Sequence, residues 1–201
     1  MDEGYVKFFD DRTEAEIPDS DMLQTLNNAR ALLVECGLIG CDPAGVGFGN
    51  LSMRHKDNQF IVSASATGSL PQLLPHHFSL VESIDTERNS IRSRGKFAAS
   101  SESMTHGAVY AACAAAQCVI HVHDRALFAW LMRDGGVATS KEAAYGTPAM
   151  ASAVTMLIQE HPALPMIFAM AGHAEGVIAY GESIESTLEL VLRLHTGTLT
   201  T

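Results

Sequence analysis

The chain has 201 residues, 47% of them hydrophobic and 18% charged, and a net charge of −10 with histidine neutral. Such a length suits a single domain with a proper core, and such a composition excludes a disordered chain. The acid excess excludes nucleic acid and anionic membranes as partners, since both are gripped by basic patches, but admits a small anionic substrate held by backbone amides and a metal ion.

No run of about 18 or more apolar residues occurs, so no membrane span is expected. The start, Met1-Asp2-Glu3-Gly4, is acidic where a secretory signal is basic and then apolar, which points to the cytoplasm. Cys36, Cys41, Cys113 and Cys118 form no CxxC pair and read as small buried residues.

Residues 1–18 are polar, end at Pro18 and read as an N-terminal arm or lead-in; the domain then occupies 19–201. Met22, Leu23, Leu26, Ala29, Leu33 and Cys36 recur at three- and four-residue spacing, predicting a helix over 20–36 stopped by Gly37. After the glycines at 45, 47 and 49, short β-like runs follow at 51–54, 60–64, 78–84 and 90–92. An Ala-rich helix is predicted over 101–117, a strand over 118–123, and a helix over 125–133 stopped by Gly135-Gly136. Thr147-Pro148 opens a helix reaching residue 160, with Thr as cap and Pro at its first position. Strands over 165–170 and 176–180 flank the turn 171–175, and a last helix carries Ile184, Leu188, Val191, Leu192 and His195, with Gly197 beyond it. This order predicts an α/β or α+β single domain whose helices cover a largely antiparallel sheet.

The chemistry gathers at Val119-Ile120-His121-Val122-His123-Asp124. Residues two apart on a strand face the same way, so His121 and His123 present two imidazoles side by side while Ile120 and Val122 face a core. That is half a zinc site, although two ordinary strand histidines have the same pattern. His173 lies in the turn after the 165–170 strand, and Glu102 lies at a helix start, where a carboxylate also favours the helix dipole. Three histidines and a carboxylate complete a zinc ligand set if they converge. Gly47-Phe48-Gly49-Asn50-Leu51-Ser52, Ala66-Thr67-Gly68-Ser69 and Ser100-Ser101 each read as a structural turn or an anion site. Asp124 reads as a helix cap or a proton donor. His106, four residues after Glu102, reads as a packing histidine, and His76-His77 and the Arg92, Arg94, Lys96 cluster as solvated.

Taken in order, Gly49-Asn50-x-Ser52, Thr67-Gly68, Ser100-Ser101-Glu102, His121-x-His123 and His173 resemble the class II aldolase/adducin family, over roughly residues 20–196. The resemblance is greatest to the L-fuculose-1-phosphate aldolases. It implies a single three-layer α/β/α domain with a mostly antiparallel central sheet. It implies zinc, or another divalent transition metal, on His121, His123 and His173, with Glu102 as fourth ligand and acid/base. Asn50, Thr67, Gly68, Ser100 and Ser101 would bind the phosphate of a small phosphorylated sugar or hydroxy-ketone. The implied activity, in carbohydrate metabolism, is that of a lyase cleaving a phosphorylated ketose through a metal-stabilised enediolate. Dehydration, decarboxylation or epimerisation at the same metal site is one alternative, and a non-catalytic adducin-like interaction domain another. Homotetramers with active sites at subunit interfaces are also implied. The chain departs from the fuculose aldolases in a shorter 123–173 interval, without the segment carrying their catalytic tyrosine, and in ending at Thr201 without their aromatic tail.

Overall fold

Apolar side chains alternate between the two faces of a central sheet, and each face gathers its own core. The computed structural model describes residues 5–18, 20–133 and 136–199. Met1-Asp2-Glu3-Gly4, Gly135 of the expected helix stop, and Thr201 lie outside the described residues.

The strands are β1 (Phe9–Thr13), β2 (Gly40–Cys41), β3 (Gly47–Phe48), β4 (Asn50–Lys56), β5 (Gln59–Ser63), β6 (Phe78–Asp85), β7 (Ser90–Arg94), β8 (Cys118–His123), β9 (Met166–Ala169) and β10 (Gly176–Gly181). The helices are α1 (Asp21–Glu35), α2 (Ser103–Ala112), α3 (Arg125–Arg133), α4 (Pro148–Glu160) and α5 (Ile184–Leu199). Eight strands form one sheet in the order β1-β7-β6-β5-β4-β8-β10-β9, and β2 and β3 form a separate ribbon. Every pairing in the large sheet is antiparallel except β1 with β7.

Phe60, Val62, Val119 and Ile178 face α2 and α4, meeting Met104, Val109, Met150 and Val154. Leu51, Ile61, Ile120, Val122 and Val177 face α1, α3 and α5, meeting Leu26, Leu33, Leu127, Leu131 and Val191. The architecture is therefore three-layer α/β/α with a mostly antiparallel sheet. No helix among the described residues is long and apolar enough to cross a membrane.

Several local expectations need correction. The polar lead-in contributes β1, an exposed edge strand; Phe-Asp-Asp-Arg-Thr has no apolar alternation to announce it. The second helix starts at Ser103 and ends at Ala112, five residues short of Gln117. There the Arg54 guanidinium, arriving from β4, accepts no further turn: it donates to the carbonyls of Tyr110 and Cys113 at 2.9 Å, and its Nε to Ala116 at 2.7 Å. Those bonds satisfy the carbonyls left open at a helix end. The last helix runs through Gly197 to Leu199. Cys36 and Cys41 are exposed, and only Cys118 is fully buried.

Candidate metal centre

His121 stands in the middle of the sheet, opposite Asn50 of β4 on one side and Ile178 of β10 on the other. His123 is opposite Gly176. The third imidazole comes from the β9–β10 turn, which closes through Met170, His173 and Gly176 by main-chain bonds of 2.8–3.0 Å. Gly176 is required there, because a Cβ would strike the His173 ring. Likewise a Cβ at Gly172 would strike the Ala143 carbonyl, so the 140–145 segment lies hard against this turn.

One ligand atom from each of His121, His123 and His173 lies within 4.8 Å of the others. His123 Nε2 and His173 Nε2 are 3.1 Å apart. Two nitrogens bound about 2.0–2.1 Å from one tetrahedral zinc stand slightly farther apart, so a small expansion admits the ion. His121 Nδ1 donates to the Val177 carbonyl at 3.2 Å, which leaves its Nε2 lone pair for a metal, the usual second bond of a metal-ligating histidine. Burial pushes the His123 pKa down to about 4 and, aided by His123 and Lys7, that of His173 to about 3. Burial, with the neighbouring histidines, puts His121 well below its ordinary value. All three are therefore neutral at physiological pH, the state a metal requires.

Glu102 is buried on the wall of the same pocket, and its Oε2 accepts from Thr105 Oγ1 at 2.8 Å. The pocket also brings together Asn50, Thr67, Gly68, Ser100 and Ser101. Asn50 Oδ1 is buried there and makes no hydrogen bond among the described residues. No lysine or arginine is among the lining residues, so the protein groups that could meet an anion here are hydroxyls and amides.

The pocket also holds residues to which the sequence reading gave no role of their own, among them Phe48, inside the 47–52 segment, and Tyr145. Phe48 of β3 packs its ring 5.3 Å from that of His123, and the Tyr145 ring lies 4.5 Å from that of His173, with the Lys7 ammonium 3.7 Å from the centre of the Tyr145 ring. Tyr145 sits two residues ahead of the Thr147 cap, in a stretch without periodicity, and its loop packs on Gly172 through Lys141 and Ala143.

The family profile of the class II aldolase and adducin N-terminal domain matches residues 44–197. The chain belongs to the class II aldolase and adducin family. Among solved structures, the L-fuculose-1-phosphate aldolase of Thermus thermophilus is 20% identical, with 89% of this chain and 91% of that one aligned and a TM-score of 0.65. Another L-fuculose 1-phosphate aldolase is 18% identical, over 92% and 86%, with a TM-score of 0.69. YgbL of Klebsiella pneumoniae, described as a putative aldolase/epimerase/decarboxylase, is 19% identical, over 89% and 87%, with a TM-score of 0.65. At such identities the likeness is one of fold. No curated protein shows significant similarity to the chain.

In this class II aldolase/adducin domain the donor set suits a divalent transition metal: three neutral imidazoles, with a carboxylate on the same pocket wall.

Proposed function

We propose that the protein is a metal-dependent aldehyde-lyase that cleaves a small phosphorylated ketose, in the manner of an L-fuculose-1-phosphate aldolase. The observation that carries this reading is the meeting of the three-histidine group with Glu102 and the polar loops around Asn50, Thr67 and Ser100 in one pocket. His121, His123 and His173 would hold zinc or a similar divalent ion, with Glu102 as a fourth ligand in the resting state. Such an ion supplies Lewis-acid polarisation of a chelating hydroxy-ketone.

The chain's own residues do the rest. Asn50, Thr67, Gly68, Ser100 and Ser101 bind the phosphate and so fix the ketose carbons relative to Glu102. Beside a bound dication the Glu102 carboxylate would act as the acid/base, moving a proton at the carbon next to the carbonyl. Phe48 and Tyr145 exclude water from that end of the pocket. The bond from that carbon to the carbinol carbon beyond it breaks: the carbinol loses its hydroxyl proton and becomes the aldehyde, and the carbon next to the carbonyl gains the proton that Glu102 delivers, which leaves dihydroxyacetone phosphate.

YgbL, with its mixed description and similar fold, supports keeping a second reaction in view: dehydration, decarboxylation or epimerisation on the same metal site. A non-catalytic adducin-like role is disfavoured by the complete histidine set. We further read the domain as 19–201, wider than the profile match, because α1 supplies Leu23, Leu26 and Leu33 to a core. A homotetramer with sites at subunit interfaces, acting in the cytoplasm, completes the proposal.

The test is a panel of phosphorylated ketoses incubated with metal-replete protein and assayed for aldehyde release. Aldehyde formation supports cleavage; loss of carbon dioxide or water instead supports the second reaction. Protein that takes up no metal and turns over none of them would leave the adducin-like role. Light scattering at micromolar concentration reads the assembly, with a monomer contradicting the tetramer.

A further inference from the structure

Arg30 lies on the apolar stripe of α1, four residues after Leu26, and is 2% exposed. No carboxylate pairs with it among the described residues, although the chain as a whole carries a large acid excess. Its guanidinium instead meets three main-chain carbonyls of one loop: Thr67 at 2.8 Å, Gly68 at 3.2 Å and Pro71 at 3.5 Å. From the same helix, Asn27 clamps the far end of that loop, donating to the Leu73 carbonyl at 2.8 Å and accepting from the Leu73 amide at 3.0 Å.

The orientation of the loop follows. In a trans peptide the N–H points opposite to the preceding carbonyl. Carbonyls 67 and 68 are turned inward to Arg30, so the amides of Gly68 and Ser69 are turned away from it. Neither donates to another described group. Thr67 and Gly68 line the pocket. Gly68 is held without slack, since a Cβ on it would strike the Gly40 carbonyl and the Gly47 Cα.

A buried guanidinium stays charged, and a buried charge without an opposite partner is costly unless something compensates it. Polar carbonyls do so in part. An anion on the other side of the loop would do so further.

We propose that Arg30 is a positioning residue for a phosphate dianion: it fixes the loop so that the Gly68 amide, in the pocket lining, can meet the phosphate, and it places a buried positive charge behind that amide. This rests on the phosphorylated-substrate reading above and adds to it the residue, outside the pocket lining, that makes the loop anion-selective.

The experiment measures inorganic phosphate binding to the full-length protein, by titration calorimetry and by the rise in melting temperature with added phosphate. Arg30→Met and Arg30→Gln both remove the charge but place different demands on packing, so one folded variant suffices. Each should weaken phosphate binding at least about tenfold, the scale of a lost charged hydrogen bond, and abolish most of the phosphate-dependent rise in melting temperature. Arg30→Lys should restore binding to within about threefold of the parent. Asn27→Ala loosens the same loop without altering charge and should cost no more than about threefold, which separates charge from simple loop stiffness. On an active substrate, the Met variant should raise KM while kcat and metal content change little. A folded Met or Gln variant that binds phosphate as the parent does overturns the role of Arg30 alone. A metal-replete parent that binds no phosphate overturns the phosphorylated-substrate reading, and this inference with it.

Discussion

His195 Nδ1 donates to Asp124 Oδ2 at 2.7 Å, tying the last helix to the residue that follows His123. The other oxygen of Asp124 accepts the amides of Ala126 and Leu127, each at 3.0 Å, and so caps α3. Both oxygens are committed, and Asp124 is not among the residues lining the pocket. The structure thus favours the cap over the proton donor. Asp124→Ala should lower stability by about 2–5 kcal/mol, the sum expected for a lost cap and a charged hydrogen bond. Asp124→Asn, assayed at equal metal content, should keep kcat within about threefold, a change too small for a lost general acid. Thermal melts and steady-state kinetics read the two effects, and a hundredfold fall in kcat would return Asp124 to the chemistry.

The metal assignment is tested at His123. Elemental analysis of protein purified without chelator should find about one divalent ion per chain, as one three-histidine site requires. His123→Ala should lose most of it, and full retention would place the ion elsewhere.

Glu102→Gln keeps the size of the side chain and its capacity to accept from Thr105, but cannot take up a proton. It should retain most of the metal and bind phosphate as before, while turnover falls by about 10²-fold or more, the usual scale for a general base. Activity equal to the parent at equal metal content would remove Glu102 from the proton transfer. By contrast, Ser101→Ala should leave metal content alone and weaken phosphate binding by about 1–3 kcal/mol.

His106 offers a prediction about pH. It is fully buried, with Nδ1 2.8 Å from Ser52 Oγ, and that hydroxyl also bonds Tyr110 at 2.8 Å. Burial pushes its pKa down to about 3 from an ordinary 6.5. Between those values the unfolded chain binds the proton and the folded chain does not. Its contribution is therefore present in full above pH 6.5 and declines as pH falls toward 3, by about 1.4 kcal/mol for each unit. Denaturant melts at pH 7 and pH 5 should differ less for His106→Gln than for the parent. An unchanged difference would mean that other groups set the acid sensitivity.

Much of this was legible because the signals were local. The 118–123 strand ends where it was expected to, since alternation, the histidine pair and the Asp124 cap all fall within seven residues. The helix at Thr147-Pro148 was marked by its own cap. The ordered motifs also located Asn50, Thr67, Glu102 and His173, which share the pocket although spread over more than half the chain. What stayed hidden depended on distant partners. Ala108 to Ala112 continues smoothly into more alanine, and only Arg54, from another strand, marks the helix end. Tyr145 enters the pocket through the packing of its loop on Gly172. Arg30 did leave a trace, an arginine on an otherwise apolar helix stripe, but its meaning depends on carbonyls some 40 positions away.

His121 is fixed by hydrogen-bonded neighbours on both sides, and His173 by a turn between two paired strands. A slip of one residue in β8 would send His121 and His123 to the opposite face, so the ligand geometry is inherited from the sheet's register. In small zinc domains the ion itself organises the chain, and chelation unfolds them. Here an eight-stranded scaffold does that work beforehand. Chelator should therefore strip the ion and leave a folded protein ready to be reloaded. Different divalent ions could then be compared as catalysts on one and the same scaffold, with folding removed from the comparison.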